Sequence, residues 1–173
     1  VDLHQLEDLI LKHNPAAVLI VHNFGTIVDI TPIKGICDFY GVKIIEDAAP
    51  AFVMNEPYSY IPGSASHAVC YSFDFTKFPG TLGSGGAIAT RHDELHNIFF
   101  ELQAHGTNKE RDVVRIGTKS FMDVTSCAVL LKEIELFEQN NYRERRRQNA
   151  TWYKNNLPYK SIPGENYIWE RYS

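Results

Sequence analysis

Residues 68–90 read AVCYSFDFTKFPGTLGSGGAIAT, and the fold turns on how this stretch is read. Ala68–Phe73 is a short apolar run, which predicts a buried strand. It breaks into a loop that carries Ser72, Asp74, Thr76 and Lys77. Pro79-Gly80 and Gly83-Ser84-Gly85-Gly86 then allow tight backbone turns. A second apolar run, Ala87–Ala89, predicts another strand. Lys77 is thus held between two strands, beside glycines that permit close approach of backbone or ligand. A half-buried lysine loses solvation, so its neutral amine is easier to populate, and a neutral amine attacks carbonyls. The competing reading is a plain surface lysine, because lysines are mostly exposed.

A second element lies upstream. Lys43-Ile44-Ile45-Glu46-Asp47-Ala48-Ala49 reads as a strand that ends in a carboxylate followed by two small residues. In parallel α/β sheets, ligands sit at the carboxyl ends of strands. Pyridoxal phosphate needs this pair of groups: a lysine for its aldehyde and an acid for its pyridinium nitrogen. The small residues leave room for a flat ring. Taken alone, Asp47 could equally be an ordinary strand-end or helix-capping aspartate.

The rest of the chain supplies alternating strands and helices. Leu3, Leu6, Leu9 and Ile10 predict a helix capped by Asp2 and stopped by Asn14-Pro15. Ala16–Val21 is almost wholly apolar and predicts a strand buried on both faces. His22 at its end is read as structural, with a catalytic role as the alternative. A helix over Ile30–Tyr40 follows, with Thr31 as its cap, Pro32 in first position and Gly41 at its end. Val42–Glu46 is the next strand, Met54–His67 a loop and Asp93–His105 a helix. Gly106–Gly117, rich in charge, is expected to be a mobile solvated loop. Met122–Leu157 is expected to be one long helix. The order strand, helix, strand predicts an α/β fold with a mostly parallel sheet and flanking helices.

Composition bounds the function. The 173 residues suffice for one domain with a core, and 44% apolar content is ordinary for a globular protein. A formal net charge of −4 gives no electrostatic reason to propose nucleic acid. Arg143-Glu144-Arg145-Arg146-Arg147 is interrupted by a glutamate and reads as a solvated helix face. No apolar run approaches the roughly 20 residues of a membrane span, and no secretory signal pattern is present. Cys37, Cys70 and Cys127 are odd in number and far apart, which favours reduced thiols in a cytoplasmic setting. Lys77 precedes the glycine cluster and a strand follows it, so neither a P-loop nor a dinucleotide fingerprint fits. No His or Cys set has zinc spacing, so no metal is expected.

The chain resembles the pyridoxal-phosphate-dependent sugar aminotransferases of the DegT/DnrJ group, a branch of the fold-type I aminotransferases. The resemblance runs from about Val1 to Leu157. It rests on Val21-His22-Asn23-Phe24-Gly25, Ile45-Glu46-Asp47-Ala48-Ala49, Ser72-Phe73 with Lys77 five residues after the serine, and Gly85-Gly86-Ala87. His105-Gly106 and Met122-Asp123 also fall on the family pattern. It implies part of a fold-type I large domain: residues 1–157 as its central portion and 158–173 as the start of a link to a C-terminal small domain. It implies that Lys77 forms a Schiff base with the cofactor and then moves a proton. Asp47 would pair with the pyridinium nitrogen, Ala49 pack on the ring and Ser72 bind the phosphate. Glutamate would donate the amino group and a nucleotide-linked keto sugar accept it, in amino-sugar biosynthesis, within a homodimer.

Three positions depart from the family pattern. Pro50 stands where a glutamine or histidine is usual, and proline offers no side-chain donor. Lys119 stands where an asparagine usually reaches the neighbouring subunit's phosphate; a lysine can still meet a phosphate as a point charge. An arginine usual near Phe121 is absent. Two other outcomes stay open: a dehydrating relative, which would carry histidine in place of Lys77, and a truncated, non-catalytic remnant that serves as a binding or interaction domain.

Overall fold

The computed structural model describes residues 1–52 and 60–156. The expected link segment, 158–173, and part of the expected loop, 54–59, lie outside the described residues.

Helix α1 spans Leu3–His13, and Asp2 caps it by accepting from the Gln5 amide at 3.0 Å. Asn14 closes it in the left-handed region at φ 43°. Strand β1 (Ala17–Val21) leads into a single 3₁₀ turn at Asn23–Gly25, and helix α2 spans Thr31–Phe39. Thr31 is the first residue of α2 and not its cap; the cap position is Ile30, which offers no side-chain bond, and just before it the Asp29 carboxylate accepts from the Thr31 amide at 2.8 Å. Strands β2 (Lys43–Asp47) and β3 (Ala68–Ser72) follow, then β4 (Gly86–Ala89) and α3 (Asp93–Gln103).

The four strands form one sheet in chain order. β1 pairs with β2 and β2 with β3 in parallel, while β4 returns antiparallel to β3. The α/β expectation with a mostly parallel sheet therefore holds. The register sets Val21, Asp47, Cys70 and Ile88 in one row across the sheet. Side chains alternate along a strand, so Ile20, Glu46 and Val69 share the opposite face. That opposite face carries the core. Ile20, Ile44 and Val69 pack there with Ile10 of α1 and with Ile33 and Cys37 of α2.

β1 differs from expectation in its burial. Leu19 is 60% exposed and Val21 39%, so only one face of this apolar strand is covered among the described residues. A uniformly apolar run such as AVLIV shows that both faces are apolar, not what covers them. The expected single helix over 122–157 is two. α4 covers Val124–Gln139 and α5 covers Tyr142–Asn156, and Asn141 breaks them apart at φ 51°. Asparagine tolerates the left-handed region, so a helix can turn there without glycine or proline. The segment 106–117 is charged and largely exposed, yet hydrogen bonds organise it. Val114 N–H donates to Gly106 O at 2.9 Å and Thr118 N–H to Leu102 O at 2.9 Å. Gly106, at φ 77°, closes this turn, and a Cβ there would lie 1.8 Å from Arg115 O.

At the amino ends of the parallel strands, His67 stacks on His92 with ring centroids 5.2 Å apart. The Ile44 amide donates to His67 Nδ1 at 3.1 Å. Burial pushes this imidazole below its ordinary value, and the positive groups Lys43, His92 and Lys34 add to the effect, against Asp38. The unfolded chain would protonate this ring near pH 6.5 while the folded chain resists. The contribution of His67 to stability is therefore complete above that pH and is lost as pH falls through the depressed folded value. Urea melts at successive pH values should show stability declining below neutrality, and His67→Gln should flatten that decline.

Candidate active site

Four of the five expected site residues lie at the carboxyl ends of the parallel strands. Asp47 ends β2 and Ser72 ends β3. Asp47 pairs in register with Cys70, and Ser72 lies two positions further along the same face, roughly 7 Å by strand rise. The Asp47 carboxylate accepts from the Ala49 amide through Oδ1 at 3.0 Å. Among the described residues its Oδ2 has no hydrogen-bond partner. Cys70 lies beside it; burial and then the Asp47 charge push that thiol above its ordinary value.

Lys77 sits half-buried in the loop between β3 and β4. Main-chain bonds shape that loop. Phe73 N–H donates to Gly85 O at 2.7 Å, Phe75 N–H to Gly83 O at 2.8 Å and Thr81 N–H to Phe73 O at 2.9 Å. The turn that presents Lys77 is closed by its own amide donating to Asp74 O at 2.8 Å. Asp74 braces the turn further by accepting from the Thr76 hydroxyl at 2.7 Å and the Thr76 amide at 3.0 Å, which hold its carboxyl below the ordinary range. Gly80 has to be glycine here, because a Cβ would lie 2.7 Å from Lys77 O.

Phe78, next to the lysine, is boxed by aromatic rings. Its ring centroid lies 5.0 Å from Phe137 of α4 and 5.4 Å from Tyr142 of α5, with the Arg146 guanidinium 5.1 Å from the ring centre. The break between α4 and α5 thus places both helices against the lysine loop. The sequence offers no periodic signal for this contact, which joins residues some 60 apart.

Lys119 stands apart from the other four. It is exposed, and its main chain bridges to Ala104 just after α3. A groove of about 760 Å³ lies between β3–β4, α3 and residues 116–120, lined by Cys70, Ile88 and Phe99 among others, and contains neither Lys77 nor Asp47. Among the described residues no cluster of His, Cys, Asp or Glu could hold a metal ion.

Behind Asp47, on the core face, is a buried polar network. His22 and Glu46 are both 0% exposed. His22 Nε2 donates to Glu46 Oε2 at 2.9 Å, the Tyr60 hydroxyl to Glu46 Oε1 at 2.8 Å and the Gly63 amide to the same oxygen at 2.7 Å. Burial pushes the Glu46 carboxyl up; His22, Ser66, Gly63 and Tyr60 together outweigh it, and the carboxyl lies below its ordinary value. Burial and then the Glu46 charge push the Tyr60 phenol upward, and burial raises Tyr71 to about 12. In the sequence alone Glu46 is an ordinary residue of the strand Val42–Glu46. The signal was available: Glu46 alternates with Ile44 and so falls on the buried face.

Known proteins resemble this chain in sequence and in fold. A 3-oxo-sugar enzyme of Pseudomonas aeruginosa, UDP-2-acetamido-2-deoxy-3-oxo-D-glucuronate aminotransferase, is 32% identical over 78% of this chain and 37% of its own length. The crystal structure of a DegT DnrJ EryC1 StrS aminotransferase from Brucella abortus superposes with a TM-score of 0.83 at 28% identity, over 99% of this chain and 48% of that one. NtdA of Bacillus subtilis, solved with the cofactor PMP bound, gives a TM-score of 0.76 at 28% identity, over 89% of this chain and 36% of that one. The chain thus spans less than half the length of these relatives. The family's sequence pattern runs through residues 1–168, across the strand-end aspartate, the serine and the lysine loop alike, and the chain belongs to the DegT/DnrJ/EryC1/StrS aminotransferase family.

Proposed function

We propose that this chain is the cofactor-binding core of a pyridoxal-phosphate-dependent aminotransferase acting on a nucleotide-linked keto sugar, with glutamate as amino donor. The observation that carries the reading is the shared position of Asp47, Ser72 and the Lys77 loop at one end of the sheet. The residues fit the cofactor. Asp47 offers an oxygen with no hydrogen bond among the described residues, on a sheet face not filled by the core, which suits a cationic ring nitrogen. Among the described residues Ser72 Oγ receives only a long contact of 3.4 Å from the Asp74 amide, so its own hydrogen can serve a phosphate oxygen.

When bound, pyridoxal phosphate supplies an electron sink for the bond that breaks at the substrate carbon. The chain does the rest. Lys77 Nζ is the point of attachment and carries the proton to and from the reacting carbon. Asp47 holds the proton on the ring nitrogen through its charge. Ser72 anchors the phosphate, and the small side chain of Ala49 leaves space for the ring. Lys119 would add a positive charge toward a phosphate.

The same reading takes residues 1–157 as the central part of the large domain and 158–173 as the link to a further domain. It takes the working protein as a cytoplasmic homodimer. Support for the substrate class comes from the Pseudomonas relative, whose name specifies a UDP-linked 3-oxo sugar. The test is mass spectrometry of products after incubation with the cofactor, glutamate and a UDP-linked 3-keto sugar. Aminated sugar together with 2-oxoglutarate supports the reading. The second reading, a remnant that keeps the fold without turnover, is favoured by Pro50 in place of a side-chain donor and by the exposed Lys119. It predicts no aminated product at any cofactor concentration.

A further inference from the structure

Asp47 is held from behind. Its side chain lies on the open face of β2, but its main-chain carbonyl accepts from the His22 amide at 3.0 Å. The ring of that same His22 binds the carboxylate of the preceding residue, Glu46, at 2.9 Å. Residue 22 therefore grips β2 twice, once at the Asp47 peptide and once through Glu46. The ring itself cannot turn freely, because the Val28 amide donates to Nδ1 at 3.1 Å. This donation leaves the ring hydrogen on Nε2, where Glu46 requires it.

Glu46 completes the clamp from the other side. Its Oε1 receives the Tyr60 hydroxyl and the Gly63 amide, both from the segment that precedes β3. Gly63 is itself fixed, at φ 89°, with no room for a Cβ beside Val69. One buried carboxylate thus ties the end of β2 to the turn after β1 and to the approach to β3. These are the neighbours on either side of the residue that faces the ring nitrogen. A glutamate in a core needs several donors to be tolerated, and an apolar residue would fill the space without them. Its presence here, one position before Asp47, fits a demand for direction rather than for packing.

We propose that the His22–Glu46 pair, resting on the cofactor reading above, is a positioning device that sets the height and orientation of Asp47 toward the cofactor's ring nitrogen. His22 and Glu46 touch neither substrate nor cofactor and act only through Asp47. Outer groups of this kind orient the groups that bind a ligand, and losing one commonly weakens binding about tenfold.

The test uses the full chain, with Glu46→Gln and, as a milder change, Tyr60→Phe. Glutamine keeps the size but turns an amide toward donors; phenylalanine keeps the ring and removes one hydroxyl. Each protein is titrated with pyridoxal 5′-phosphate and with its 1-deaza analogue, in which CH replaces the ring nitrogen. The expected result is that Glu46→Gln weakens pyridoxal phosphate about tenfold while changing the deaza analogue less than about twofold. Tyr60→Phe should show the same selectivity at about threefold, and it decides the matter if the glutamine variant does not fold. Equal weakening of both ligands, or no weakening of either, overturns the positioning role and leaves the cofactor reading standing. A parent chain that binds neither ligand overturns the cofactor reading, and the positioning role with it.

Discussion

Lys77→Ala is expected to lower amino transfer by about 10⁴-fold or more, because in the proposed function this one side chain is both the nucleophile and the proton carrier. The fold should survive it. The turn is held by main-chain bonds from Lys77 to Asp74 O and from Thr81 to Phe73 O, and by the box around Phe78, none of which uses the lysine amine. Truncating a half-buried side chain at such a place should move stability by less than about 1 kcal/mol. Borohydride reduction followed by peptide mass analysis checks the chemistry directly. The parent should carry the reduced cofactor on the peptide that contains Lys77, and the variant should carry none. Cofactor fixed to another lysine in the parent would defeat the assignment.

Asp47→Ala should have the second-largest effect. A unit charge about 4 Å from a cationic nitrogen is worth roughly 4 kcal/mol at an effective dielectric near 20. Loss of most of that corresponds to a fall in turnover of about 10²- to 10³-fold. Alanine also removes the bond to the Ala49 amide, which alone could loosen the strand end. Asp47→Asn separates the two causes, since asparagine keeps an oxygen for that amide but carries no charge. Both variants should bind the cofactor more weakly and should lose turnover even at cofactor concentrations that keep Lys77 occupied. A cofactor methylated on its ring nitrogen, and so permanently cationic, should restore much of the loss. Full activity in the asparagine variant would show that the charge of Asp47 plays no part.

Much of this arrangement is legible in the residues. The motif from Ser72 to Lys77 and the acid of KIIED are local, and strand ends in a parallel sheet are where ligands gather. α1, with its Asp2 cap and Asn14-Pro15 stop, carries both of its boundary signals in sequence. What escaped reading depends on distant partners. The exposure of Leu19 and Val21 depends on what covers β1, and AVLIV says nothing of that. The break at Asn141 has no proline or glycine to mark it. The order in 106–117 comes from two glycines packed backbone to backbone, with a Cβ on Gly117 falling 2.3 Å from Gly106 N. Composition there shows only charge. The Phe78 box joins the lysine loop to α4 and α5 across a long span of chain, and no local pattern announces it. Glu46 is the instructive case, since strand alternation with Ile44 and the nearby His22 were both in view.

The most direct measurement is the visible absorption spectrum of the purified chain with added pyridoxal phosphate, recorded beside that of Lys77→Ala. The account predicts a band of protein-bound cofactor in the parent, distinct from the free cofactor, that the variant lacks. Identical spectra, with both proteins leaving the free cofactor unchanged or both shifting it alike, would contradict the assignment of Lys77 as the cofactor lysine.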